Sequence, residues 1–461
     1  MRRAVVVGAG ISGLLASFLL KKKFEEVMVI EHSEHTGGLL RSVQDDAGLF
    51  YDQGTHIPDL TGIKLVDDII FGPEEERKKN WYEFSHLYSG NYFNGCWNLE
   101  TQTLNISSLN KYLRYQIESQ IKENPTPQKD ESLKGYLETR FGNIALEKIF
   151  TPIFKKLYGH SIEIENLVSS IGKGRFFIFG LDRVVAFSKT ETRRLKKDPI
   201  YDSKLAFHTN AEFLQYMKDL GIKQSFLYPK KGRGVGSLIE DLLDRAKKSG
   251  IILKNNSNIR RIESNDGKIT GVYINKDNQV VKCDHVFWTV PPSIGLIATG
   301  KKVQLHKLKF RCSNIFHFCF DKPITNRISH FLWSWDTEDP IFRITLYDNF
   351  RKLKKPNHHQ VTVECLSDKQ DSEKITSELV VDSLIKMGLL DKDSKVISKT
   401  EQRLQNTFPV PNLNFKKSSE QHYESFSNLF SNLSISGRYS GKVWLQMEVL
   451  IDTYNQIESL E

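Results

Sequence analysis

The stretch Ala4-Val5-Val6-Val7-Gly8-Ala9-Gly10-Ile11-Ser12-Gly13 decides the fold. Four apolar residues predict a short strand. Residues 11–22 then follow helical spacing, with Leu14, Leu15, Phe18 and Leu19 on one side. A second apolar strand, residues 27–30, closes at Glu31. A strand, a helix and a strand in this order imply adjacent parallel strands, because a parallel pair needs a crossover connection. The Gly-x-Gly-x-x-Gly turn sits between strand and helix, the context its chemistry requires. Its glycines permit a tight turn and close approach of the backbone to a pyrophosphate. The first helical turn adds unpaired N–H donors and the positive end of a dipole. Gly8, Gly10, Ile11, Ser12 and Gly13 are therefore the expected pyrophosphate contacts. Glu31 lies 18 residues after Gly13, where a carboxylate accepts hydrogen bonds from ribose hydroxyls.

Thr36-Gly37-Gly38-Leu39-Leu40-Arg41 follows directly. Two glycines and a basic residue suit a second approach to the pyrophosphate, with Gly38, Leu39 and Arg41 as contacts. A nicotinamide enzyme does not need this element. The two motifs together move the expected ligand from NAD to FAD.

Further along, the chain carries Asp52-Gln53-Gly54-Thr55-His56, Tyr228-Pro229 before a glycine turn, and Asn258-Ile259-Arg260-Arg261-Ile262. It also carries residues 284–292, Gly437-Arg438-Tyr439 and Gln446-Met447-Glu448. In this order the motifs resemble the FAD-dependent amine oxidase and protoporphyrinogen oxidase superfamily, which includes UDP-galactopyranose mutase. The resemblance spans nearly the whole chain. It implies that Ile259 presents its backbone to adenine and that Gly437 and Arg438 approach the flavin end of FAD and its pyrophosphate. It also implies that Met447 opens the terminal helix beneath the isoalloxazine, and that Thr55 and His56 border the ring. Two departures set the chain apart from the mutases. Glu448 stands where they have aspartate, and Gln304-Leu305-His306-Lys307-Leu308 lacks their arginine.

Composition excludes several classes. A length of 461 residues allows two or three domains. A 39% apolar and 26% charged composition is that of a soluble globular chain. No run is long and apolar enough for a spanning helix, and the N-terminus lacks a secretory pattern, so a cytoplasmic protein is expected. Five cysteines without C-x-x-C spacing argue against disulfides, a zinc site or a dithiol centre, and no metal is expected. The formal charge of +9 gathers in runs such as residues 193–197 and 351–355. Such runs read either as a solvated, lysine-rich surface or as an attraction to an anionic substrate or a membrane surface. No basic stripe with interleaved aromatics points to nucleic acid. Oligomeric state is left open.

The expected fold is α/β, a Rossmann-like FAD-binding domain of parallel sheet and helices with an inserted mixed α+β substrate domain. Residues 1–75, 225–298 and 425–461 make the first, and residues 76–224 and 299–424 the second. The polar, basic segment 183–205 reads as a mobile loop. His56, whose motif lies at the flavin, is the leading base. Arg343 lies in an apolar strand, where an unpaired guanidinium is costly; it is the leading anion-binding candidate, with a structural salt bridge as the alternative. Arg175 is a weaker one. Tyr347, Trp333 and Trp335 could stack on a substrate ring, and Tyr439 and Trp444 could wall the pocket. The expected activity is an oxidoreductase whose flavin accepts a hydride from a small organic molecule, such as a nucleotide-linked sugar or related anion. A non-redox sugar isomerase and a flavin-bound protein without turnover are the alternatives.

Overall fold

The computed structural model describes residues 2–124, 132–170, 176–275, 279–303, 309–352 and 355–460. The opening strand, Arg3–Val7, lies at the centre of a five-stranded parallel sheet. The order across it is Ile252–Lys254, Glu26–Ile30, Arg3–Val7, His285–Trp288 and Leu433–Ile435. Nearly all residues of the central strands are buried, as expected of a sheet covered on both faces. One face packs on the helices Ile11–Leu20, Gly236–Lys248 and Gln446–Glu458 through Leu14, Leu15, Leu242 and Leu450. The other packs on an antiparallel meander, Ile259–Asn265, Lys268–Ile274 and Gln279–Lys282, through Ile262, Val272 and Ile274.

A second sheet has seven strands, ordered Val396–Pro409, Phe310–Phe320, His359–Ser367, Ile341–Leu346, Phe331–Ser334, Ser89–Phe93 and Cys96–Asn98. Its pairings are antiparallel except that of Phe331–Ser334 with Ser89–Phe93. The Asn94-Gly95 turn joins the last two strands, both residues at positive φ. Helices from residues 111–158 pack beside this sheet around an aromatic core that includes Phe141, Phe150, Phe154 and Tyr158.

Segment 183–205 corrects the expectation of a loop. It forms the strand Val184–Val185 and the helices Lys189–Leu195 and Pro199–Asp202. The Ser188 and Asp198 side chains cap those helices. Its lysines and arginines pair with Glu191, Asp202 and Glu212, so the charge that suggested mobility is largely neutralised in place.

Candidate active site

The glycine turn is fixed by packing. A Cβ on Gly8 would lie 2.3 Å from Thr289 Oγ1, and one on Gly13 would lie 1.9 Å from the Gly8 carbonyl oxygen. A Cβ on Gly10 would meet nothing within 4 Å, so this residue leaves an open face. Gly10 forms an isolated parallel bridge with Gly37, and the Gly37 amide donates to Ala9 O at 2.9 Å. The two glycine motifs thus form one continuous backbone surface. Glu31 Oε2 accepts from the Ala9 amide at 2.8 Å and Oε1 from the Ser33 amide at 2.9 Å. The Glu31 carbonyl accepts from Ser257 N at 2.9 Å, which brings Ile259 to the same strand end. Arg41 Nη2 donates to His35 O at 2.8 Å, while its Nε is buried without a partner. The Ser12 hydroxyl shares a 2.7 Å hydrogen bond with Thr453 Oγ1, tying two helices together.

A cavity of about 280 Å³ opens beside this surface. It gathers Leu39, Thr55, His56, Arg343, Arg438 and Met447, six of the expected site residues, from distant parts of the chain. Phe179, Phe342, Phe408 and Trp444 add aromatic walls. Gly437 sits behind it at φ +98, where a Cβ would lie 2.9 Å from Thr289 O. Gly8 and Gly437 therefore pack against the same threonine, and the two ends of the chain meet there.

His56 Nε2 lies 3.1 Å from Gln53 O. A carbonyl only accepts, so Nε2 carries the proton and Nδ1 keeps its lone pair. Burial, with the charges of Arg343 and Arg438, lowers the imidazole to about 4. His56 is therefore neutral at physiological pH and is a weak base.

Arg343 is ion-paired. Its Nε and Nη2 each donate to the Glu364 carboxylate at 2.7 Å, across directly opposed strand positions. Glu364 also accepts from Thr55 N at 3.1 Å and Thr55 Oγ1 at 3.3 Å. Burial pushes this carboxyl up, but the charge and hydrogen bonds of Arg343 outweigh it and leave Glu364 below its ordinary value. Glu364 was missing from the expected site. Pairing the strand predicted around residue 343 with the one around 362 would have found it, because an arginine in an apolar strand needs an acid opposite.

Arg438 has no carboxylate partner among the described residues and lies with Cζ 5.4 Å from the Trp444 ring centroid. Burial, reinforced by Arg343, lowers it to about 10, so it remains a cation at neutral pH. Asp59 lines the same cavity and was also missed. Its Oδ1 is buried without a partner, and burial alone raises the carboxyl to about 7. Glu448, the departure noted in the terminal motif, is a helix cap: Oε2 accepts from Trp444 N and Leu445 N at 3.1 and 3.0 Å.

Tyr347 does not reach the cavity, which corrects its expected catalytic role. It is fully buried, accepts from the Asp52 amide at 2.8 Å and lies 3.0 Å from Thr362 Oγ1. Burial lifts its phenol far above the ordinary value. Trp333 and Trp335 stack on each other at 5.2 Å within the aromatic core. Tyr439 is 42% exposed and does not line the cavity, whereas Trp444 does. Arg175 and residues 304–308 lie outside the described residues. A larger cavity of about 460 Å³ is lined by Gln102, Asp182, Phe207, Phe213 and Phe226, and it contains none of the motif residues.

Comparison with known proteins bears on the fold. Residues 6–62 match the NAD(P)-binding Rossmann-like domain. The chain is 22% identical over 304 residues to 1-hydroxycarotenoid 3,4-desaturase of Flavobacterium sp. (strain P99-3), covering 62% of this chain and 56% of that one. It is 46% identical over 55 residues to protoporphyrinogen oxidase 2, chloroplastic/mitochondrial, of Arabidopsis thaliana, covering 12% of this chain and 11% of that one. The chain thus spans little more than half the length of the first relative and a ninth of the second. The solved structure of reduced UDP-galactopyranose mutase superposes with a TM-score of 0.73 at 18% identity, covering 99% of this chain and 93% of that one. The α/β fold with its Rossmann-like parallel sheet is as expected, and the expected likeness to protoporphyrinogen oxidases is seen over the 55 residues matched. Among the described residues, no helix is long and apolar enough to cross a membrane.

Proposed function

We propose that this chain is an FAD-dependent oxidoreductase acting on a small anionic organic molecule. The supporting observation is the union of one continuous double-glycine surface, through the Gly10–Gly37 bridge, with a cavity holding Thr55, His56, Arg438 and Met447. A dinucleotide alone needs the first element; a flavin ring gives the second something to border. The residues present fit FAD: Gly10 offers an open face, and Arg41 Nε and Gln446 Nε2 are buried polar atoms without protein partners. When bound, FAD supplies a two-electron acceptor. The chain's own part is to bind, orient and desolvate. The first turn of the helix Ile11–Leu20 faces the pyrophosphate, Glu31 the ribose, and Arg438 an anionic group. His56 presents a neutral Nδ1 that accepts a hydrogen bond. In this reading residues 1–75, 225–298 and 425–461 hold the cofactor, and residues 76–224 and 299–424 the substrate.

The test has two steps. The purified protein is examined for the visible bands of oxidised flavin; their absence, with no recovery on adding FAD, refutes the proposal. The flavin-loaded protein is then mixed with candidate metabolites without oxygen. Bleaching is the expected result. The alternative of a non-redox isomerase is distinguished by turnover only after prior reduction.

A further inference from the structure

No motif residue lines the larger cavity, of about 460 Å³. Its volume lies within the range of about 300–1,000 Å³ usual for small-molecule sites. It shares a wall with the flavin-side cavity. Phe179 lines the flavin side and Gly180 this one; Asp59 and Phe226, joined by a backbone bridge, likewise line one side each. The two spaces are therefore back to back, and a ligand in one does not fill the other.

A run of rings walls the larger cavity. Between centroids, His86 lies 5.7 Å from Phe213, Phe213 lies 6.2 Å from Phe207, and Phe207 lies 5.1 Å from Tyr216. This wall already carries one ammonium: from the neighbouring pocket, Lys196 Nζ sits 4.1 Å from the Phe207 centroid, with its charge paired to Asp202 at 2.6 Å. The charged lining of the cavity itself is acidic. Asp182 gives its backbone carbonyl to Arg140, at 3.3 and 3.2 Å, but its carboxylate has no hydrogen bond or ion pair among the described residues. Glu100 accepts from the Asn210 amide at a long 3.4 Å and has no cation beside it. Arg183, the one lysine or arginine in the lining, donates to the Asp202 and Leu205 carbonyls at 2.5 and 3.3 Å and lies 4.0 Å from Asp202 Oδ1. His86 adds no charge at neutral pH, because burial holds it below its ordinary value. In a chain with a net charge of +9, two uncompensated carboxylates in one aromatic cavity stand out. Ring faces and an unpaired carboxylate both attract a cation.

We propose that the larger cavity is a second ligand site, for an organic cation: a substituted ammonium with an aromatic or aliphatic body. Asp182 supplies the opposite charge, and Phe213 with its neighbouring rings supplies the contact surface for the body and a cation–π attraction for the head. The site stands apart from the flavin motifs and does not depend on the chemistry proposed for them.

The test is isothermal titration calorimetry of the full-length protein, as purified, with benzyltrimethylammonium chloride. The quaternary nitrogen of this probe has no lone pair, so a flavin cannot oxidise it to an imine. Binding at one site per chain is expected. Asp182→Asn keeps the side-chain shape and the carbonyl held by Arg140, and is expected to weaken binding about tenfold or more, while Asp182→Glu retains most of it. Phe213→Leu keeps an apolar side chain but removes the ring, and is expected to weaken binding about fivefold. Arg438→Met alters the flavin-side cavity and is expected to bind the probe as the wild type does. Circular dichroism checks that each variant is folded. Three results overturn the proposal: no binding by the wild type, unchanged affinity in both Asp182→Asn and Phe213→Leu, or a changed affinity in Arg438→Met, which puts the probe in the flavin-side cavity.

Discussion

Replacing Arg343 by methionine removes one half of a pair that is largely out of water, with side-chain exposures of 19% for Arg343 and 9% for Glu364. Glu364 then loses two 2.7 Å donors and keeps only the Thr55 amide at 3.1 Å and hydroxyl at 3.3 Å. Leaving one charge of a buried pair uncompensated costs about 3–5 kcal/mol. The cost depends on pH with a definite sign. In the wild type the folded-state value of Glu364 is depressed, so the pair stabilises the fold above the unfolded value of about 4.3 and ceases to as pH falls below it. In Arg343→Met, burial is opposed by little more than the Thr55 donors and raises Glu364, so the variant is destabilised most at neutral pH and little near pH 4. Glu364→Leu alone strands the guanidinium and costs a similar amount. The double variant Arg343→Met/Glu364→Leu replaces both charges by apolar groups and is expected to recover most of the loss, since such replacements are often neutral or stabilising. Urea unfolding of the four proteins at pH 5 and pH 8 measures these values. Single variants that each lose under about 1 kcal/mol, or a double variant whose loss is the sum of the singles, refute the account of a buried, mutually dependent pair.

Gly13→Ala places a Cβ at 1.9 Å from the Gly8 carbonyl, so the helix must move off the turn; FAD is expected to dissociate during gel filtration, checked by the absorbance of the protein peak. Glu31→Ala leaves the Ala9 and Ser33 amides without their acceptor, and a loss of about 1.5–3 kcal/mol of stability is expected by urea unfolding. His56, His285, His317 and His330 are each lowered to about 4, in every case chiefly by burial. Unfolded histidines bind protons near pH 6.5, so stability is present above that value and is lost as pH falls toward 4. The limiting slope is about 1.4 kcal/mol per pH unit for each histidine. Unfolding free energies measured from pH 7 to 5 should show it, and His317→Gln should remove one proton's share.

Most of the dinucleotide end was legible because its chemistry constrains local sequence. Gly13 is demanded by the Gly8 carbonyl five residues before it, and Gly8, Gly37 and Gly38 hold positive φ that favours glycine, so these demands leave a spacing that can be read. Apart from Arg343, which its apolar strand singled out, the cavity was legible mainly where a residue belongs to one of the motifs. Glu364 reaches Thr55 across more than 300 positions, and its role depends on a strand register that spacing does not encode. Asp59 takes its character from burial alone. Tyr347 was misplaced because an aromatic at a strand end reads the same whether it faces a cavity or, as here, braces Asp52 from the core side. Segment 183–205 was misread because polar composition was weighed above its capping serine and aspartate.

The central sheet is assembled from strands beginning at residues 3, 26, 252, 285 and 433. During synthesis the strand His285–Trp288 emerges with its outer edge bare, and its neighbour Leu433–Ile435 follows 145 residues later (433 less 288). At about 5–20 residues per second the wait is on the order of 10 s. Throughout that interval the nascent chain presents an apolar parallel edge to its surroundings. A cell making this protein therefore has to shield the half-built sheet, and a ribosome that stalls in the second half of the message releases a chain primed to aggregate.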